Sequence, residues 1–131
     1  MRTRILEDDF TGRQLLQPLL KPHGPCHITI NGQEAVEAVR LALEANEPYD
    51  LICLGIMMPK LDGHGALDNI RALEEAKAIW STHGAKVVMT TASGNTKNVT
   101  KAFAGLAGAH LTKPVKRAKL LETVRQLELT K

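Results

Sequence analysis

Short apolar runs alternate with longer amphipathic stretches along the 131 residues of this chain. That alternation is the pattern of βα units around a parallel sheet. Five units fit. A first strand over Thr3 to Leu6 precedes a helix from Thr11 to Lys21, in which Leu15, Leu16, Leu19 and Leu20 recur at helical spacing. Pro22, His23, Gly24 and Pro25 end it. A second strand, Cys26 to Ile30, turns at Asn31-Gly32 into a helix from Gln33 to Glu44 with Ala35, Val36, Val39 and Leu43 inward. The third strand, Asp50 to Leu54, reads DLICL, and a loop from Gly55 to Gly63 leads to a third helix ending before His83-Gly84.

The fourth strand, Lys86 to Thr90, has the continuous apolar core VVM expected of a strand covered on both faces. A weaker helix over Asn98 to Leu106, broken by Gly105 and Gly108, leads to a fifth strand at His110 to Thr112. The last helix runs from Lys116 to Leu127 with Leu120, Leu121, Val124 and Leu127 inward. No repeat, linker or low-complexity segment interrupts the series, so one domain over residues 1–131 is expected.

Composition narrows the class without changing it. Forty-four per cent hydrophobic and 24 per cent charged residues are ordinary for a water-soluble domain, and four aromatic residues imply an aliphatic core. No apolar run reaches the ~20 residues that span a bilayer, and MRTRILEDD lacks a signal-peptide core, so a cytoplasmic protein with no membrane contact is expected. Cys26 and Cys53 lie among apolar neighbours without CxxC spacing and read as two buried, reduced thiols. The net charge of +3 is lopsided: residues 97–131 carry eight Lys or Arg against two Glu. A basic face near the carboxyl end follows.

A doubly wound parallel sheet places its chemistry in the crevice beyond the carboxyl ends of its strands. Those ends carry Glu7-Asp8-Asp9, then Gly55-Ile56-Met57-Met58-Pro59, then Thr91-Ala92, then Lys113-Pro114. Clustered carboxylates there can hold a hard cation such as Mg2+. A hydroxyl and an ammonium suit phosphoryl oxygens. Singly each segment reads as a solvated loop; together, at successive strand ends, they read as a site.

EDDF followed by Arg13, LICLGIMMPKLDG, MTTA and LTKP, in this order and spacing, resemble the receiver domains of bacterial response regulators over almost the whole chain. The resemblance implies a flavodoxin-like fold, a five-stranded parallel sheet of order 2-1-3-4-5 with five helices, as a single receiver without an output domain. It implies Mg2+ held by Glu7, Asp8 and the backbone carbonyl of Met57, a phosphate pocket of Thr91 and Lys113 with Pro114 beside it, and a switch pair of Thr91 and His110. A histidine kinase or phosphotransferase protein and a downstream effector are the implied partners, with a homodimer as a further option. The implied role is phosphorelay signalling, not enzymatic turnover.

The departure is at Gly55, where the family's pattern has the phosphate-accepting aspartate. Glycine cannot attack a phosphohistidine, form an acyl phosphate or give a third carboxylate to the metal. Phosphorylation at position 55 is therefore excluded, and weaker Mg2+ binding is expected. His110 stands where the family carries an aromatic residue. Arg4 is out of place in a strand apolar on both faces; it is expected to reach an edge or meet an acidic neighbour, since an unpaired buried guanidinium costs roughly 3–5 kcal/mol.

Two other readings fit parts of the chain. A phosphorylation-independent interaction module would bind an acidic protein surface through Lys97, Lys101, Lys116, Arg117 and Lys119, and without a DNA-binding segment nucleic acid is not the expected partner. Asp9-Phe10-Thr11 partly resembles the DxDxT motif of haloacid dehalogenase-like phosphohydrolases, but Glu7 would hold the nucleophile position and no paired acidic motif follows Lys113. A nucleotide or flavin site is disfavoured by the acidic loop after the first strand, where a phosphate cradle needs free amides.

Overall fold

The structure, a computed structural model, describes residues 1–7, 10–55, 63–77, 84–91, 109–112 and 115–127. The strands are β1 (Thr3–Leu6), β2 (Cys26–Thr29), β3 (Leu51–Gly55), β4 (Lys86–Thr91) and β5 (Ala109–Thr112). Among the described residues the α-helices are α1 (Phe10–Leu20), α2 (Gly32–Glu44), α3 (Gly63–Ala76) and α4 (Arg117–Gln126). The helix expected at Asn98 to Leu106 lies outside the described residues. The sheet has the order β2-β1-β3-β4-β5, with every pair parallel.

The central strand sets the layering. All five residues of β3 are buried, because helices cover both faces of the sheet. Ile52 and Leu54 join a core built with Ala35, Val39, Leu67 and Ile70 of α2 and α3. Leu51 and Cys53 join a second core with Leu16 and Leu20 of α1 and Leu120 and Val124 of α4. Two-residue alternation along the strand thus sorts neighbouring side chains into different cores.

Local signals account for the helix limits. Asn31 caps α2, its Oδ1 accepting from the Glu34 amide at 2.9 Å. After α2 the chain reverses through Asn46 at φ +57°, a left-handed conformation that asparagine tolerates. α1 runs on through Pro18 and tightens into a 3-10 turn over Lys21–His23. Gly24 closes that turn at φ +140°, where a Cβ would collide with the Met1 carbonyl.

Several expectations need correction. Gly55 is the last residue of β3 and not part of the following loop. Cys26 is only half-buried, although burial still raises its thiol pKa; Cys53 is fully buried, and burial pushes it up to about 12. In α4, Leu121 is half-buried outside the core and Thr123 takes the buried position, its hydroxyl donating to the Lys119 carbonyl at 2.7 Å. Among the described residues Arg4 meets no acid: its Nε and Nη2 donate to the Tyr49 hydroxyl at 3.1 and 2.5 Å.

One buried carboxylate fastens α3 to the start of β4. Glu74 is 4% exposed; its Oε2 accepts from the Ala85 amide at 2.8 Å and its Oε1 from Arg71 Nη1 at 2.6 Å. Gly84 leaves the room, since a Cβ there would stand 2.4 Å from that carboxylate. Glu74→Ala would strand the buried Ala85 amide and remove an ion-pair partner from Arg71, so a loss of roughly 1–3 kcal/mol is expected in urea unfolding. A loss below about 0.5 kcal/mol, the scale of an ordinary surface substitution, would contradict this role.

Candidate functional site

Parallel pairing brings the strand ends to one edge of the sheet. Leu6 pairs with Leu54, so Glu7 follows beside Gly55. Gly55 pairs with Thr90, and Thr91 pairs with Thr112, the residue before Lys113. Glu7 just beyond β1, Gly55 at the end of β3 and Thr91 at the end of β4 therefore stand along one edge of the sheet. Asp8, Asp9, Met57, Lys113 and Pro114 lie outside the described residues, as do Lys97 and Lys101 of the basic face. His110 pairs through its backbone with Met89, two residues back from the end of β5.

Alternation assigns the faces at this rim. Glu7 follows Ile5, Gly55 follows Cys53 and Thr90 follows Val88, all toward the core covered by α1 and α4. The row across β1, β3 and β4 thus reads carboxylate, no side chain, hydroxyl. Glu7 is wholly buried and Thr90 is 1% exposed. Among the described residues the Thr90 hydroxyl has no hydrogen-bond partner. MTTA offers two adjacent hydroxyls; the register sets Thr90 opposite Gly55, one residue before the expected Thr91.

For a divalent cation, the described part of this rim supplies one carboxylate, Glu7, and at Gly55 only backbone. No cluster of three or more His, Cys, Asp or Glu able to hold a metal occurs among the described residues. The described residues alone do not make a metal centre.

The sequence matches the response regulator receiver domain family over residues 4–125. The chain belongs to that family. Its receiver domain is of the kind found in two-component and phosphorelay signalling, with the flavodoxin-like fold. It is 32% identical over 123 residues to hybrid signal transduction histidine kinase B of Dictyostelium discoideum, matching 89% of this chain and 6% of that protein. It is also 32% identical over 126 residues to two-component response regulator ORR24 of Oryza sativa subsp. indica, 96% of this chain and 18% of that protein. The chain thus spans a small part of the length of these curated relatives. The receiver domain of a sensor histidine kinase from Pseudomonas aeruginosa PAO1, solved with a magnesium ion coordinated in its active site cleft, superimposes with a TM-score of 0.72 at 25% identity, over 97% of both chains.

On the basic face, Lys116, Arg117 and Lys119 are all exposed at the start of α4. Cations in a first helical turn oppose the positive end of the helix dipole, typically by about 0.3–1 kcal/mol each, so local stability does not explain them. No helix of the described residues is long and apolar enough to cross a membrane.

The orphaned Thr90 hydroxyl supplies a test of the row. Thr90→Val keeps the shape and removes a buried group lacking a partner, so a gain of about 1 kcal/mol in unfolding free energy is expected. In a Gly55→Asp background the gain should shrink or reverse, because a carboxylate beside Thr90 can accept a hydrogen bond from its hydroxyl. A double-mutant cycle with zero coupling would show that Thr90 and position 55 do not meet.

Proposed function

We propose that this receiver takes part in phosphorelay signalling without being phosphorylated at position 55, and that it acts through the conformation it holds when unmodified. The observation that supports this reading is Gly55 at the end of β3, between Glu7 and Thr90, in a chain that matches the family over residues 4–125. The aspartyl carboxylate that would form the acyl phosphate is absent, and no neighbouring side chain on β3 replaces it. Glu7, Asp8 and the Met57 carbonyl are the donors left to Mg2+; losing one carboxylate from such a set weakens a cation that needs near-octahedral oxygen ligation. Thr91 and Lys113 are the groups left to meet a phosphoryl oxygen, and Thr91 with His110 forms the remnant of the switch pair. A histidine kinase or phosphotransferase protein and an effector protein are its proposed partners, in a reading where the domain itself turns over no substrate.

Incubation with acetyl phosphate and Mg2+ is expected to leave the intact mass unchanged, whereas Gly55→Asp should gain one phosphoryl group. Titration with Mg2+ followed by amide NMR shifts should show Gly55→Asp binding at least about tenfold more tightly, equivalent to roughly 1.4 kcal/mol. A phosphoryl group on the unsubstituted chain, mapped to Asp8 or Asp9, would overturn the proposal.

A second reading rests on the exposed cations at the start of α4. There the receiver is an interaction module that binds an acidic protein surface through Lys116, Arg117 and Lys119, with Lys97 and Lys101 as the further candidates. Binding to its kinase or effector should then weaken with added salt, because exposed charges are screened beyond about 8–10 Å at physiological ionic strength. Charge reversal at Lys116 and Arg117 together should abolish the salt dependence, and retention of both affinity and salt response would exclude this face. The phosphohydrolase reading has Glu7 at the nucleophile position and is closed by a lack of turnover on a generic phosphate ester.

A further inference from the structure

On the α2 side of the sheet, a broad, open groove of about 700 Å3 runs along β1 and β2 as far as Thr29 and Asn31. Its size lies within the range of small-molecule pockets, roughly 300–1,000 Å3. The sequence explains why it is not filled. α2 presents Ala38 and Ala42 to it, followed by Ala45 at its C-cap, small residues where a core-facing helix would carry Leu or Val, and β1 presents Arg4 in place of an aliphatic residue.

The floor of the cavity is rich in hydrogen-bond donors. Arg4 shares the Tyr49 hydroxyl between Nε and Nη2, and its Nη1 reaches the Ile28 carbonyl only at 3.5 Å, the outer limit of a hydrogen bond. No carboxylate among the described residues forms an ion pair with Arg4. Arg2 lies over the same ring, its Cζ 5.3 Å from the Tyr49 centroid. Its Nη1 is 3.7 Å from Glu47, and its Nε is buried with no acceptor among the described residues. Two guanidinium groups, ten N–H donors by their covalent structure, thus share one phenol, the Ile28 carbonyl and the Glu47 carboxylate among the described residues. A half-buried guanidinium without a counter-charge is unusual, and a bidentate oxyanion is its natural complement.

The rim narrows the choice of anion. Glu34, Glu37 and Glu47 line the opening; Glu37 is already paired with Arg40, and Glu34 is engaged with the Asn31 cap. Their negative field penalises a polyanion far more than a single charge. Leu41, 53% exposed, forms an apolar lip beside the alanines. We propose that this cavity is a ligand site for a small monocarboxylate, whose carboxyl group is held by Arg4 and Arg2 and whose apolar body lies against Ala38, Leu41 and Ala42. The site is separate from the row at Gly55, so it stands or falls independently of the phosphorylation state.

Titration of the isotope-labelled full chain with benzoate tests this directly. Saturable amide shifts are expected at Arg4, Tyr49 and along Ala38–Ala42, with none from benzylamine and none saturable from inorganic phosphate. Arg4→Gln should weaken benzoate by roughly tenfold or more, the loss of one charge-assisted pair. Leu41→Glu, at an exposed position that leaves the core intact, should weaken it to a similar degree by adding charge at the lip. Absence of saturable shifts, equal binding of benzylamine, tighter binding of phosphate than of benzoate, or unchanged affinity in both variants would each overturn the assignment.

Discussion

Burial of β3 on both faces is the constraint on which the remaining structure depends. A strand whose five residues are all covered must be flanked by paired strands and sandwiched by helices, and both cores are assembled on it. Leu51 and Cys53 fix α1 and α4 on one side; Ile52 and Leu54 fix α2 and α3 on the other. Because parallel strands run in one direction, the same burial carries every strand end to a single rim. The residue at the end of β3 therefore sits at the middle of that rim, and there the chain has Gly55 with no side chain to offer.

Several features of this arrangement are legible in the sequence because they depend on local period alone. The unbroken LICL run marks a strand covered on both faces, and the leucine spacing in α1 marks its buried stripe. Other features needed the third dimension. Leu120, Val124 and Leu127 define the inner stripe of α4, but residues 121 and 123 flank it almost symmetrically, so packing had to select Thr123. Adjacent threonines at the end of β4 look equivalent until strand register sets Thr90 opposite Gly55. Glu74 beside Glu75 reads as a solvated pair, yet only the first is buried against Ala85. Arg4 finds its partner 45 residues away in Tyr49, a distance over which no sequence pattern reports.

The two places where local rules are broken are also the two places with unspent chemical capacity. At the rim, a buried hydroxyl stands beside a missing side chain; under α2, guanidinium donors outnumber their acceptors. Natural sequences tend to depart from internal consistency where function or strain intervenes. The two departures differ in kind. At Gly55 the central strand ends without a side chain, whereas Arg4 places a charge on a surface that the fold alone would fill with carbon.

The placement of the strands has a further consequence for how the protein behaves at high concentration. The outermost strands, β2 and β5, are four residues each, and in sequence Pro25 directly precedes the first while Pro114 follows closely on the second. An open sheet edge is a template on which another chain can add a strand, and its hazard grows with the number of free backbone groups it displays. Edges this short, bounded by residues that cannot donate a backbone hydrogen bond, give a passing strand too few rungs to hold. Edge-to-edge aggregation is therefore discouraged by the backbone itself, independently of net charge.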